Sequence, residues 1–263
     1  MNASEILLTG GSGSLGSRVV DRLRDAGHGV RALSRGGRPG MVRGDLMTGE
    51  GLEEAVEGVD VVVHCASSPT KTRQIDVEGT ERLLKTANRA GISNFVFISI
   101  VGVDRNPYYP YYRMKLEIEQ MIEASPVPWT ILRATQFHEF VLRFVRLLGR
   151  GPVALAPKQF LLQPIDRGEV ADRLAELALS GAAGRVPDVG GPEIKTFADF
   201  ARTYLEAASI KKRVLKVPVP GKMARAWRKG AQVCPDQRYG HITWDEFLSQ
   251  TVNQTNTGET IRR

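Results

Sequence analysis

One stretch near the N-terminus decides the fold, and it reads Ile6-Leu7-Leu8-Thr9-Gly10-Gly11-Ser12-Gly13-Ser14-Leu15-Gly16. An apolar run typical of a buried strand leads into evenly spaced glycines, and a helical pattern follows. Gly10 permits a sharp turn, Gly13 lets a diphosphate approach the backbone, and Gly16 lets the helix and strand pack closely. Because strand, loop and helix agree, the pattern predicts a dinucleotide-binding loop rather than a plain glycine turn, at the start of a helix over residues 14–26. The other loop residues predicted to bind are Ser12, Ser14 and Leu15.

Beyond this loop, apolar β-branched runs alternate with segments of helical period, which indicates an α/β fold with a doubly wound parallel sheet. Residues 1–135 are expected to form this dinucleotide-binding domain. Residues 136–250 no longer show this regular alternation and are predicted to form a smaller substrate lobe, interleaved with the sheet. Residues 251–263 are predicted to form a flexible tail. The predicted strands are 6–9, 30–34, 41–42, 59–64, 95–99, 129–133 and 160–163, and the helices of the lobe are 137–148, 167–179 and 197–208.

The composition is that of a globular protein, with 263 residues, 42% hydrophobic and 25% charged. These fractions argue against a fibrous or disordered chain, and no apolar run approaches the ~20 residues of a membrane span. The N-terminus lacks the pattern of a secretory signal, so a cytoplasmic location is expected. Cys65 and Cys234 stand far apart, which suits a reducing compartment, and the four histidines show no metal-binding spacing.

The formal net charge of +7 is concentrated in one segment, residues 211–229, which holds eight of the 36 basic residues and no acidic one. Because the remaining basic residues do not outnumber the 29 acidic ones, we expect neither nucleic-acid binding nor stable membrane association. Met223 and Trp227 lie four residues apart, so a short amphipathic helix could dock on an anionic membrane or a partner. The apolar stripe is short, which favours a solvated face with the tryptophan inside the lobe.

The choice of dinucleotide depends on the end of the second strand, where a carboxylate would bind a free ribose 2′-hydroxyl. The sequence offers Ser34 and Arg35 instead, with Arg38 nearby. A guanidinium can bind a 2′-phosphate with two hydrogen bonds, and the serine can donate a third. This pattern favours NADP(H), the alternative being that the arginines belong to a solvated loop.

Two further strand ends are predicted to line the cofactor site. Asp45 and Leu46, after the third strand, are placed to meet the adenine. Cys65, Ala66 and Ser67 follow the fourth strand and would run beside the nicotinamide. Small residues there are also compatible with ordinary packing at a strand end.

Tyr111 and Lys115 lie four residues apart in a predicted helix, which places them on one face. A phenol, with an ordinary pKa near ~10, is a poor acid-base catalyst at neutral pH, whereas a nearby ammonium and an oxidised nicotinamide favour the phenolate. Tyr111 is therefore a candidate proton donor to a carbonyl oxygen. Tyr108 and Tyr109 are competing registers, but neither has a lysine four residues on.

These motifs resemble the atypical short-chain dehydrogenase/reductases of the NmrA-like and NAD(P)-dependent epimerase/dehydratase type, over residues 5–200. The segments that carry the resemblance are 9–16, Arg35, 44–46, 76–80, Tyr111 with Lys115, and 129–137. It implies a Rossmann domain with a small C-terminal substrate lobe, NADP(H), and oxidoreductase chemistry or a defunct version of it.

The chain departs from the family pattern at three points. Active members usually carry Ser or Thr near the end of the fifth strand to bind the carbonyl oxygen, and Ser99 is the only hydroxyl available there. Asp76 replaces an asparagine common in the helix after the fourth strand, and Arg133-Ala134 replaces the Arg-Pro common after the sixth strand. Ser99 therefore joins Tyr111 and Lys115 as a candidate catalytic residue.

Gln136, Phe137 and His138 follow the sixth strand and are expected to face the substrate cleft. His138 could act as a second acid-base group, although a histidine here also suits a simple helix start. No Gly-x-Ser-x-Gly elbow appears, so hydrolysis by an activated serine has no support.

The sequence thus predicts a monomeric or homodimeric NADP(H)-dependent oxidoreductase that reduces a carbonyl or activated double bond of a small molecule, with Lys115 also binding the nicotinamide ribose. Sugar epimerisation is disfavoured because no basic pocket for a nucleotide diphosphate is evident. The alternative is an NADP(H)-binding redox sensor without catalysis.

Overall fold

The computed structural model of the chain describes residues 3–36, 39–68 and 73–256. They divide into two units. Unit 1 comprises the chain up to residue 104 together with 109–133 and 167–187, and unit 2 comprises 105–108, 134–166 and the chain from 188 onward. The predicted boundary near residue 135 is thus incomplete, because residues 167–187 return to the unit that contains the large sheet.

The strands of the described part are, in chain order, β1 (Glu5–Thr9), β2 (Gly29–Ser34), β3 (Met41–Arg43), β4 (Val61–His64), β5 (Asn94–Ile100), β6 (Trp129–Ala134), β7 (Ala154–Pro157), β8 (Leu161–Leu162), β9 (Gly184–Arg185), β10 (Lys195–Thr196) and β11 (Val214–Val217). The helices are α1 (Gly16–Asp25), α2 (Leu52–Val56), α3 (Glu78–Ala90), α4 (Pro110–Glu123), α5 (His138–Leu148), α6 (Arg167–Leu179), α7 (Phe197–Ala207), α8 (Lys222–Arg228) and α9 (Trp244–Asn256), with a π-helical turn at Arg73–Val77.

Unit 1 is built on a parallel seven-stranded sheet of order β3-β2-β1-β4-β5-β6-β9. This confirms the predicted doubly wound Rossmann fold. The central strands are apolar on both faces because helices cover both, and Leu7, Val62 and Val63 are fully buried. The strand order reverses between β1 and β4, which opens a crevice at their carboxyl ends.

Unit 2 has two small strand pairs, antiparallel β8–β10 and parallel β7–β11. Sequence analysis predicted β8 as a longer strand and missed β7, β10 and β11, which are short and pair only over long separations in the chain. The core of this unit includes Phe200 and Trp244, whose rings meet edge to face with centroids 5.4 Å apart. The Trp244 indole Nε1 donates to Phe200 O at 3.2 Å.

The predicted start of the flexible tail, residue 251, is wrong, because α9 continues to Asn256. Trp244, Phe247, Leu248 and Thr251 recur at helical spacing and all are buried. The polar residues between them hide this apolar face in a composition-based interpretation. Residues 257–263 of the predicted tail lie outside the described residues. Within the described ranges, no helix is both long enough and apolar enough to cross a membrane.

A buried ion pair joins the sheet of unit 1 to α4. Arg133 Nε donates to Glu119 Oε1 at 2.8 Å, and Arg133 Nη1 donates to Asp104 Oδ2 at 2.8 Å. The side chains of Arg133 and Glu119 are 6% and 1% exposed. Burial disfavours the charged guanidinium, but the hydrogen bonds and charges of Glu119 and Asp104 outweigh it and raise the pKa of Arg133.

We predict that Glu119→Gln destabilises the protein by about 3 kcal/mol, because it leaves a buried guanidinium without its main counter-charge. Urea unfolding measures this loss. The matched control is Glu81→Gln, which removes the exposed pair between Glu81 and Lys85 and should cost no more than ~0.5 kcal/mol. Equal effects of the two substitutions would contradict the prediction.

Candidate functional site

Backbone hydrogen bonds within the loop between β1 and α1 fix its conformation. Gly13 N donates to Gly10 O at 2.8 Å, and Ser17 N donates to Gly13 O at 2.9 Å. Gly10 has a φ of 74°, in the left-handed region that favours glycine. Helix α1 begins at Gly16, two residues later than predicted, and has no acidic residue in its first turn. The positive end of the helix dipole is therefore not neutralised by a carboxylate of that turn.

Close backbone contacts exclude side chains from two of the three spaced glycines. A Cβ on Gly10 would lie 2.7 Å from Ala66 N, and a Cβ on Gly16 would overlap the Gly10 carbonyl. Gly13 differs, because a Cβ there would approach only Gly10 O, at 3.1 Å. Gly10 and Gly16 thus permit packing, whereas Gly13 keeps the approach to the loop open for a ligand.

A cleft of about 690 Å³ opens at the carboxyl ends of β1, β2 and β4, and we term it the switch-point cleft. Its volume falls within the ~300–1,000 Å³ common for small-molecule sites. The residues that line it are Gly10, Ser12, Gly13, Leu33, Ser34, Arg35, Gly36, Gly44, Asp45, Leu46, Cys65, Ala66, Ser67, Ser68 and Ile75.

Most residues predicted to bind the cofactor line this cleft, but Ser14, Leu15, Gly16 and Lys115 do not. Sequence reasoning did not assign Leu33, Gly36, Gly44, Ser68 or Ile75 to the site. The first four adjoin assigned positions in the chain, so strand-end position was the available signal. Ile75 lies in the π-helical turn, which no sequence pattern indicated.

The second strand ends at the part of the cleft where the 2′-substituent of a dinucleotide was predicted. Gly44 N donates to Ser34 O at 3.1 Å, which joins the ends of β2 and β3. Arg35 follows Ser34, is exposed, and has no hydrogen-bond or ion-pair partner among the described residues. Its guanidinium is therefore available to a ligand. Arg38, the other predicted basic residue, lies outside the described part of the chain.

A hydrogen-bonded chain connects the cleft to Tyr111. Ser67 Oγ donates to Asp76 Oδ2 at 2.7 Å, and the Tyr111 hydroxyl lies 3.1 Å from Ser67 Oγ. Because the serine proton is directed to Asp76, the tyrosine hydroxyl donates to the serine. Burial raises the pKa of Asp76, against the opposing effects of the Ser67 hydrogen bond and the charge of Lys115.

Lys115 is a buried cation, with 4% of its surface exposed. Its Nζ lies 4.8 Å from the centroid of the Phe97 ring and 6.0 Å from that of Tyr111, distances at which a cation is attracted to an aromatic face. No carboxylate of the described residues forms an ion pair with it. A buried ammonium that no carboxylate contacts directly is costly to maintain, and its charge acts on the carboxylate of Asp76.

His64, at the end of β4, is buried and neutral. Thr80 Oγ1 donates its proton to Asp76 O, so it accepts from His64 Nε2 at 2.8 Å. His64 Nδ1 then accepts from Thr9 Oγ1 at 2.6 Å. Burial, assisted by the charge of Lys115, lowers the pKa of His64 to about 3. The imidazole thus serves to join β1, β4 and α3 beneath the cleft.

Ser99 is 2% exposed, and its Oγ has no hydrogen-bond partner in the described structure. Side chains alternate along a strand, so Ser99 shares the sheet face of Phe97, whose ring lies below Lys115. Ser99 does not line the switch-point cleft. Its predicted contact with a substrate oxygen remains a prediction.

The residues predicted to face substrate are engaged within unit 2. Gln136 Nε2 donates to Gln232 O at 2.9 Å, and Phe137 forms a parallel bridge with Ile165. His138 is 1% exposed, stacks on Phe247 with centroids 4.9 Å apart, and has Nε2 3.0 Å from Ile242 O.

The predicted substrate role of His138 is therefore corrected, because α9 covers this side chain. Burial lowers the pKa of His138, although the hydrogen bond with Ile242 opposes this. No local sequence pattern indicated that a helix more than a hundred residues away would pack here.

Comparison with known proteins identifies the family. Residues 10–180 match a family described as NAD(P)H-binding. The (4-alkanoyl-5-oxo-2,5-dihydrofuran-3-yl)methyl phosphate reductase of Streptomyces griseus is 32% identical over 73% of this chain and 69% of its own length. Photosystem II assembly factor Ycf39 of Trieres chinensis is 24% identical over 81% of this chain and 72% of its own.

Among solved structures, an NADPH-dependent quinone oxidoreductase from Escherichia coli, complexed with NADPH, superposes with a TM-score of 0.79. The match covers 94% of this chain and 99% of that one at 18% identity. The chain therefore belongs to the NAD(P)H-binding family that its residues 10–180 match. The NAD(P)H-binding domain and the fold expected from the resemblance to atypical short-chain dehydrogenase/reductases are confirmed. The glycine loop, which is open at Gly13, and the switch-point cleft fit a dinucleotide.

We predict that Gly13→Ala raises the Kd for NAD(P)H at least about tenfold, equivalent to ~1.4 kcal/mol. The new methyl group meets only the Gly10 carbonyl within the protein, at 3.1 Å, so it should obstruct the ligand and cost less stability than Gly16→Ala, whose Cβ would overlap the same carbonyl. Titration by nicotinamide fluorescence measures the affinity.

Gly151→Ala is the matched control, because a Cβ there would have its nearest neighbour 3.7 Å away, at Val153 O. It should leave both affinity and stability unchanged. A Gly13→Ala protein that binds as tightly as wild type would show that ligands do not approach this backbone.

Proposed function

We propose that the protein is an NADP(H)-dependent oxidoreductase that reduces a carbonyl or an activated double bond of a small molecule. The observation that carries the proposal is the hydrogen bond between Tyr111 and Ser67, because Ser67 lines the switch-point cleft. It brings an acid-base side chain to the part of the cleft where β4 ends.

The opposite part of the cleft supports the choice of cofactor. Arg35 has no partner in the described residues and follows Ser34, with no carboxylate at the end of β2. A planar guanidinium fits the two oxygens of a phosphate group. We therefore assign the 2′-phosphate of NADP(H) to Arg35 and Ser34, and the diphosphate to the loop at Gly10 and Gly13.

Bound NADPH would supply the hydride. Without substrate, the Tyr111 hydroxyl directs its only proton to Ser67 Oγ, which Asp76 holds in place. With substrate bound, the hydroxyl would turn this proton away from Ser67 and donate it to the substrate oxygen. Lys115 stands one helical turn away and places a positive charge beneath the same site. Its charge would stabilise the Tyr111 phenolate that forms when the proton has left. Its ammonium group would also bind the nicotinamide ribose.

The names of related proteins support reduction as the reaction class. One relative is named as a phosphate reductase, and one structural neighbour as a quinone oxidoreductase. We propose that this chain also catalyses a reduction, but we do not assign to it the substrate of either protein.

A non-catalytic NADP(H) sensor is the second candidate. It is favoured by the relatives named as photosystem II assembly factors, and by the position of Ser99, which is buried and does not line the cleft. Such a protein would bind the cofactor through the same loop and report its redox state to a partner.

We predict that Tyr111→Phe lowers kcat for NADPH-dependent reduction about 100-fold or more, the usual contribution of a positioned acid, while the Kd for NADPH changes little. A panel of aldehydes, ketones and quinones, followed by loss of NADPH absorbance, first identifies a substrate.

Tyr109→Phe is the matched control, since Tyr109 is the neighbouring phenol and has no lysine four residues on. Unchanged turnover in Tyr111→Phe would remove the catalytic assignment. A wild-type protein that binds NADPH but reduces nothing across the panel would favour the sensor.

We also predict that Arg35→Ala weakens NADPH binding about tenfold, or ~1.4 kcal/mol, and leaves NADH binding unchanged, because only NADPH carries the 2′-phosphate. Arg24→Ala, at an exposed position in the last turn of α1, should affect neither. Tighter binding of NADH than of NADPH by the wild type would overturn the assignment of Arg35.

A further inference from the structure

Unit 2 contains a second cavity, of about 390 Å³, which we term the basic groove. Cations contribute most of its polar lining, and Tyr108 forms part of one wall. Its lining includes Arg105, Tyr108, Lys222, Arg225 and Lys229. None of the described residues that line it is acidic. Sequence analysis found no basic pocket because its two segments are more than a hundred residues apart in the chain. The groove thus corrects the prediction that the chain lacks a basic pocket, on which the argument against sugar epimerisation rested.

Hydrogen bonds fix the two segments of the groove against each other. Asn106 is fully buried, and its Nδ2 donates to Met223 O at 3.3 Å. Arg105 Nη2 donates to Val233 O at 3.1 Å. Lys222 Nζ lies 5.5 Å from the centroid of the Tyr108 ring. Two of the cations are therefore already positioned, which lowers the entropic cost of ordering them around a ligand.

The positive charge of the groove is not neutralised within the described residues. None of Arg105, Lys222, Arg225 and Lys229 forms an ion pair there, whereas arginines elsewhere do, as Arg22 does with Asp172 at 2.7 Å. Four like charges around one small cavity repel one another. An anion in the groove would relieve this repulsion.

The apolar side of α8 faces the core of unit 2 and not the groove. Ala224 is fully buried, and the Trp227 ring contacts Phe160 edge to face with centroids 5.4 Å apart. A helix that binds a membrane instead turns its tryptophan and leucine side chains outward into the lipid. The structure thus agrees with the interpretation that Trp227 lies inside the lobe, and it disfavours a lipid surface as the ligand.

We propose that the basic groove binds the phosphate or diphosphate group of a small molecule. Two guanidinium groups offer paired donors that match phosphate oxygens, and two ammonium groups add charge. A cavity of about 390 Å³ suits a small molecule rather than a nucleic-acid strand. The exposed face of Tyr108 can pack against the organic part of the ligand. The proposal does not depend on the reduction proposed above.

The test uses inorganic pyrophosphate as the probe, titrated calorimetrically into the full chain at 0.15 M salt, where diffuse surface charge is largely screened. The groove variant carries Lys222→Gln and Arg225→Gln. The matched control carries Lys211→Gln and Arg213→Gln, which removes the same charge from exposed positions of the same basic segment outside the groove. NADPH is kept saturating, so that the switch-point cleft does not compete for the probe.

We expect the groove variant to bind pyrophosphate at least about tenfold more weakly, or ~1.4 kcal/mol, and the control to stay within about twofold of wild type. Lys229→Gln alone should give a smaller loss in the same direction, which guards against misfolding of the double variant. The Kd for NADPH should be the same in all of them, so failure of the groove is distinguishable from failure of the reductase proposal.

Equal affinities of groove and control variants would overturn the proposal, as would a wild-type protein that does not bind pyrophosphate. A third result would also overturn it. If the wild type binds vesicles containing phosphatidylserine but not pyrophosphate, and the groove variant loses vesicle binding, the groove recognises a lipid surface.

Discussion

The close approach of Gly16 to the Gly10 carbonyl is the constraint on which the rest of the site depends. There is no room for a Cβ between them, so the chain can turn from β1 into α1 only with glycine at this position. The same turn sets Gly10 against Ala66, where a Cβ would lie 2.7 Å from the backbone nitrogen. Two strand ends are thereby held on either side of the cleft.

The polar groups of the cleft are positioned by the residues that follow these strand ends. β4 leads into Ser67, which links Asp76 to the hydroxyl of Tyr111. Beneath this chain, neutral His64 hydrogen-bonds the hydroxyls of Thr9 and Thr80, and burial keeps its pKa low. Under the proposed function, this neutral layer and the buried cation of Lys115 would keep the surroundings of the Tyr111 hydroxyl fixed while it transfers a proton.

The sequence predicted the fold of unit 1 well, because strands buried on both faces are apolar throughout and glycines follow α1 and α3. Helix α3, for example, ends at Gly91, which has a φ of 70°. Unit 2 was predicted less well, since its strands have two to four residues and α9 shows an apolar face only at spaced positions such as Phe247 and Thr251. Its basic groove depends on Arg105 meeting α8, and no local pattern contains that information.

The candidate site was partly predictable because the positions of the strand ends could be predicted. Residues assigned from strand ends, such as Arg35 and Ser67, do line the cleft, because parallel strands end at one edge. His138 was misplaced because its surroundings come from the distant α9. The link from Asp76 through Ser67 to Tyr111 requires side-chain geometry, although Asp76 was already visible as a departure from the family pattern.

The crystal structure of the chain with NADPH tests the central claim most directly. We predict the diphosphate on the backbone amides at the start of α1, the 2′-phosphate on Arg35, and the nicotinamide ring beside Ser67 and Tyr111. Density for the cofactor elsewhere, with the glycine loop unoccupied at saturating NADPH, would contradict the account.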